Sequence, residues 1–240
     1  VRKFIAILCI LFTSVHVDSQ TILLLNNVRD DVEMMQENGV NRMKYNAPFI
    51  AFGWNVGSPE SDSLGIIPFR SPYFSMGAMV KIKMNNFIAF QLSSLFTYQS
   101  FRLKQDSLKR FIDPVHYKKE TLNLWSYQVG MGFRINFDPK RGNHLGHHLD
   151  VGGYAAYRFV RRRLVESKSN SGGIDTPYSY TEKKLRYVNV WDYGAEARLG
   201  YSYYQLFVRY RLSELFRPYA NTDFTELPRF TAGIGINLSY

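Results

Sequence analysis

The chain has 240 residues, a formal net charge of +10, a single cysteine and 16% aromatic residues, with a mean hydropathy of −0.24. That length suits one domain, and a lone Cys9 excludes both a disulfide framework and a thiolate metal site. Beyond the N-terminus, nothing approaches the roughly 20 unbroken apolar residues of a transmembrane helix, and the basic balance points to acidic surfaces such as lipid phosphates ahead of nucleic acid, for which no module or aromatic platform is present.

Residues 1–19 have the three parts of a secretory signal: Arg2 and Lys3, the apolar run Phe4 to Phe12, and the exit Val17-Asp18-Ser19. Cleavage after Ser19 is expected, and Val1 reads as a GTG start codon translated literally. Cys9 lies inside the apolar run rather than after it, which argues against lipoprotein attachment. Residues 20–46 follow as an N-terminal segment whose acidic stretch Val28 to Glu37 reads as a short helix or a flexible tail.

From residue 47 onward the pattern has period two. A strand over 47–56 carries Ile50, Phe52, Trp54 and Val56 on one face. Over 72–84, Phe74, Met76, Ala78, Val80, Ile82 and Met84 oppose Tyr73, Ser75, Gly77, Lys81 and Lys83, and Asn85-Asn86 marks a tight hairpin turn. Strands at 87–99, 122–137, 148–160, 187–200 and 203–213 repeat the alternation. In the last, from 230 to 240, Phe230, Ala232, Ile234, Ile236, Leu238 and Tyr240 share a face. Eight such strands fit a closed bacterial barrel with apolar residues outward and small or polar residues in the lumen. Connections alternate long and short, as outside loops and periplasmic turns do, which puts both termini in the periplasm. A soluble lipocalin-type barrel, with its apolar face inward, is the competing arrangement. The Gly-, Ala- and Ser-rich opposite face and the aromatic residues near strand ends, Trp54, Tyr98, Trp125, Trp191 and Tyr201 among them, favour the membrane form.

Three runs, His148 to Tyr157, Trp191 to Tyr201 and Leu227 to Tyr240, resemble the PorT-like outer-membrane β-barrel family of Bacteroidetes. The resemblance covers about 47–240 and implies an all-β, eight-stranded antiparallel transmembrane barrel in the outer membrane. It also implies a link to type IX secretion, although most relatives have no assigned role. The terminal aromatic is similar to the signal by which barrels are recognised for insertion.

An eight-stranded barrel is just wide enough to be filled by side chains, so a general porin is not expected. Parity sends Lys81, Lys83, Arg134, Asp150, Arg158, Asp192, Glu196, Arg198, Arg209 and Arg211 into the lumen as an internal charge network. Cations exceed carboxylates there, chiefly at Lys81, Lys83, Arg134 and Arg198, so the acidic 28–37 stretch is a candidate plug for the periplasmic mouth. The outside loops are basic at Lys118 and Lys119 and at Arg161, Arg162, Arg163, Lys183 and Lys184, with lipopolysaccharide phosphates as the expected counter-charge and an envelope protein as a second partner class.

No HExxH, GxSxG or phosphate-binding glycine loop occurs. His144, His147 and His148 cluster without a completing ligand, and no catalytic, cofactor or metal residue is assigned. The expectation is a barrel of structural and interaction type and not an enzyme. Its alternatives are an accessory part of a secretion or envelope assembly, and a lipid-modifying barrel enzyme using His116 near Asp113 and Ser107.

Overall fold

The computed structural model describes residues 40–57, 65–105, 117–138, 145–171, 174–217 and 226–238, the side chains of 168–177 excepted. The signal segment 1–19 and the acidic stretch 28–37 lie outside the described residues, as do Ser107, Asp113, His116 and His144.

Nine strands form in chain order: β1 (Lys44–Val56), β2 (Pro72–Lys83), β3 (Ile88–Arg102), β4 (Lys119–Asn136), β5 (His147–Ser171), β6 (Ile174–Lys183), β7 (Trp191–Tyr201), β8 (Tyr204–Arg211) and β9 (Phe230–Asn237). Their order around the sheet is β4-β3-β2-β1-β9-β8-β7-β5, and the β4–β5 pairing closes the ring. Every neighbouring pair is antiparallel. Strands β6 and β7 both pair with β5, at its upper and lower halves respectively. They share one position in the ring, so nine strands make an eight-stranded closed barrel.

Alternation produces this fold directly. In β8, Gln205, Phe207, Arg209 and Arg211 are buried while Tyr204, Leu206, Val208 and Tyr210 are exposed. In β4, Trp125, Tyr127, Val129, Met131, Phe133 and Ile135 all face outward and are exposed. One end of the barrel has tight turns. At 84–87, the Asn85 side chain accepts the N–H groups of Phe87 and Ile88 at 2.8 and 2.7 Å, closing the β2–β3 hairpin. Ser202, at φ 52°, helps make the two-residue link from β7 to β8. The other end carries the longer connections.

Two expectations are corrected here. Residues 161–171 and 174–183 are not loop: β5 runs on to Ser171 and β6 returns along it. Arg161, Arg162, Arg163 and Lys183 are therefore strand residues, and Lys119 is the first residue of β4; Lys118 and Lys184 sit just outside strands. This part of the sheet lacks a continuous apolar face, so it leaves no period-two signal. In the other direction, residues 187–190, read as the start of a strand, turn inward before β7 begins at Trp191.

A β-bulge explains why the pattern breaks. Trp125 pairs with Val160, but Ser126 pairs with Arg158, leaving Phe159 as an extra residue on β5. Beyond it the faces exchange: Arg161, Arg163 and Val165 turn inward, and Arg162, Leu164 and Glu166 turn outward, opposite Asn123, Thr121 and Lys119.

Candidate functional site: a charged lumen under an apolar cap

The lumen is built from inward residues of all the ring strands. At the turn end, the Lys81 ammonium donates to the Val40 carbonyl and that of Lys83 to the Asn41 carbonyl at 3.3 Å. The segment entering β1 thus lies against these two lysines. Arg134 and Asp150, both buried, make a two-point contact: Nε to Oδ1 at 2.7 Å and Nη2 to Oδ2 at 2.8 Å. The Gln91 amide, with its nitrogen toward the carboxylate, donates to Asp150 Oδ2 at 2.8 Å. Such forked, charge-assisted contacts are among the strongest available to a buried carboxylate.

Arg198 donates to Glu196 and lies 5.1 Å from the centre of the Phe49 ring. Glu196 also faces Arg209 at 3.7 Å. Arg209 is clasped between two tyrosines, 4.7 Å from the ring centre of Tyr73 and 4.0 Å from that of Tyr154, so cation–π attraction adds to that of the Glu196 carboxylate. Further up, Arg158 meets Asp192 at 3.0 Å, and Ser213 donates to the same carboxylate at 2.9 Å. Arg211 donates to Glu226 Oε2 and to the Leu227 carbonyl, both at 2.9 Å. The other Glu226 oxygen accepts the N–H of Leu215 at 2.6 Å.

Glycines make room for these long side chains. Gly132 and Gly152 face each other across β4 and β5, and a Cβ on either would come within 2.5 Å of the partner strand's backbone oxygen. With Gly130, Gly153, Ser93 and the Asp150, Glu196 and Arg198 groups they line a cavity of about 30 Å³, enough for a water or two. A second cavity, of about 10 Å³, lies beside Lys81 and Arg134.

Above the charges sits an apolar cap. Phe101, Leu122 and Leu124 from the strands meet Leu185, Val188 and Leu215 from the connections, all buried. The connecting segments bind each other as well as the barrel: Asn189 N–H donates to Leu215 O at 2.8 Å and Arg217 N–H to Tyr187 O at 2.9 Å. Arg161 pins the cap from β5, donating to the Leu185 and Val188 carbonyls at 2.9 and 2.8 Å. Over it, buried Arg163 contacts Glu120 at 2.6 Å. Burial works against the Arg163 charge, yet Glu120 beside it raises the guanidinium above its ordinary pKa.

Of the ten residues assigned to the lumen by parity, Lys81, Arg134, Asp150, Arg158, Asp192, Arg198, Arg209 and Arg211 are buried. Glu196 keeps only 10% of its side chain exposed, and Lys83 stands half-buried at the rim. Sequence reasoning missed Glu120, Glu226 and Asn55. Glu120 was within reach, since the parity of β4 extends to it. Asn55, fully buried on the inward face of β1, donates to the Ser71 and Ser100 carbonyls at 3.1 and 2.9 Å and accepts from Gln99 and Thr231. Glu226 precedes β9 in an irregular segment, where no periodicity could have shown it.

The histidines divide. His147 contacts Asp138 at 2.6 Å and stacks on Tyr201 at the turn end. His148 is fully buried beside Gln205 at 3.2 Å. Among the described residues, no group of His, Cys, Asp and Glu is arranged to hold a metal.

Fold and interior together define a closed, side-chain-filled antiparallel β-barrel with an apolar exterior. No family model matches the chain, and no curated protein matches it either; the PorT-like resemblance therefore stands on its three runs alone. Among solved structures, the chain is similar to the crystal structure of Ail, the attachment invasion locus protein of Yersinia pestis. The identity is 12% and the TM-score 0.32, over 81% of this chain and 94% of that one.

Proposed function

We propose that the protein is an outer-membrane β-barrel of structural and interaction type, with its turn end and both chain termini in the periplasm and its capped end outside. The observation that carries this reading is the outward apolar belt around a closed, filled interior. On β4 the belt runs from Ile135 to Trp125, about 34 Å along the strand and about 26 Å along the barrel axis at a tilt near 40°, close to the apolar band of outer-membrane barrels. A soluble barrel would bear these exposed Met, Phe, Ile and Leu side chains as an aggregation hazard. Aromatic pairs sit at the upper edge of the belt, Tyr98 with Trp125 at 4.9 Å and Tyr157 with Trp191 at 5.4 Å between ring centres, where interfacial rings settle.

The lumen charges hold the barrel shut in this reading. Membrane fractionation of the tagged protein, with comparison of boiled and unboiled samples on a gel, tests it. Recovery with the outer membrane and a heat-dependent mobility are expected; recovery in the soluble periplasm would overturn it.

The PorT-like resemblance favours a second, narrower reading, an accessory role in a secretion or envelope assembly. A stoichiometric partner in a mild-detergent pull-down is its expected sign.

A further inference from the structure

The upper sheet face of β3, β4, β5 and β6 carries an arrangement the filled lumen does not explain. Arg162 on β5 and Lys183 on β6 lie directly opposite each other, both exposed and both turned outward by the Phe159 bulge. Like charges at directly opposed positions destabilise a strand pair. Among the described residues, the carboxylates of this region are engaged elsewhere: Glu166 with Lys119 at 2.7 Å, Glu120 with Arg163 at 2.6 Å, and Glu182, on the other face, toward Arg163 at 3.7 Å. Arg102, opposite Thr121 on β3, adds a third cation to the same outward face, while Lys119 on that face is matched by Glu166.

The level of the patch is fixed by register. Tyr98 opposes Trp125, and one outward row further on Ser100 opposes Asn123, which opposes Arg162. Tyr98 Oη and Ser100 Oγ both donate to Asn123 Oδ1, at 3.0 and 2.8 Å, tying the girdle to that row. The first cations therefore stand about 7 Å along the strand, or about 5 Å along the barrel axis, beyond the aromatic edge of the apolar belt, at headgroup height.

We infer that this face, centred on Arg162 and Lys183 with Arg102 beside them, binds the phosphate groups of an outer-leaflet glycolipid. The inference rests on the outer-membrane reading above. A phosphorylated headgroup supplies the missing counter-charge, the Arg162 guanidinium offers forked donors to phosphate oxygens, and the acyl chains lie against the apolar belt directly below. A soluble anion would satisfy the charges without using that continuity.

The test uses the full chain inserted into phosphatidylcholine vesicles doped with dansyl-labelled lipid A, either bisphosphorylated or enzymatically dephosphorylated. Energy transfer from Trp125 and Trp191, which flank the site, reports enrichment of the lipid. Enrichment of the bisphosphorylated form around the wild-type barrel is expected, with about a thirtyfold loss in the Arg162→Gln/Lys183→Gln variant. Arg186→Gln, which removes an exposed cation of the 184–190 connection outside the proposed site, is expected to behave as wild type. Inorganic phosphate at millimolar concentration should not displace the lipid. Equal transfer from both lipid forms, an equal loss in Arg186→Gln, or displacement by inorganic phosphate would overturn the site while leaving the membrane reading intact. Failure of the wild type to insert, seen as absent heat-dependent mobility, would overturn the membrane reading and the site with it. If the double variant alone fails to insert, Arg162→Gln carries the same comparison.

Discussion

Arg158 and Asp192 are both almost fully buried, 3.0 Å apart, and each has lost its water. A buried ion pair of this kind contributes little net stability compared with apolar residues of the same size, but removal of one partner strands the other. Asp192→Ala is therefore expected to destabilise the barrel by about 3–5 kcal/mol, whereas Arg158→Met combined with Asp192→Leu should come close to wild type. Urea unfolding of the vesicle-inserted protein, followed by tryptophan emission, measures both. At this scale the sequence was informative wherever a charge sat inside a regular strand, because parity alone decides which face a side chain joins. It was silent on partners. Parity puts Arg209 in the lumen, but not between Tyr73 and Tyr154, and nothing about Glu226 predicts that it closes on Arg211.

Strands β5 and β6 were the hardest elements to read, for a reason that lies in a single residue. The extra Phe159 reverses the faces of everything after it, so Arg161, Arg162 and Arg163 look like one basic run and yet go in, out and in. Deleting Phe159 takes out the extra residue, so Arg158 and Val160 become consecutive, the pairings of Ser126 with Arg158 and of Trp125 with Val160 fit one regular ladder, and Arg161 and Arg163 stay inward. A barrel that still inserts and whose upper hairpin resists added protease as the wild type does is the expected result. Rapid cleavage of that hairpin would show that the bulge itself is needed to seat Arg161 and Arg163. Strand β6 itself escaped because it pairs above the apolar belt, where a polar strand needs no buried face and so carries no alternation.

For the molecule as a whole, closure and filling go together. The ring closes between β4 and β5 in the contact pattern, and its interior is occupied from Lys81 at the turn end to Leu215 at the cap. Planar-bilayer recordings are accordingly expected to show no porin-sized conductance steps. Gly132→Val should prevent stable closure, since its side chain would meet the Val151 carbonyl and the Gly152 Cα; loss of heat-dependent gel mobility is the readout. The eight-stranded plan was legible because the strands alternate wherever they cross the apolar belt, the break at Phe159 coming only at its upper edge. The cap was not, because Leu185 and Leu215 come from segments with no period and Val188 from one read as strand, and only the folded ring brings them together.

That cap changes what the exposed end of the barrel is free to become. Outward connections on barrels usually diverge quickly, since nothing beneath them depends on their sequence. Here 185–188 and 215–216 double as core, and Leu185→Ala is expected to cost about 2–5 kcal/mol, as much as an interior strand residue. In a library of random insertions selected for surface display, these two stretches should be as depleted as the strands themselves. Drift at this end is then left to side chains that stand clear of the cap, such as the exposed Arg186 and Glu214.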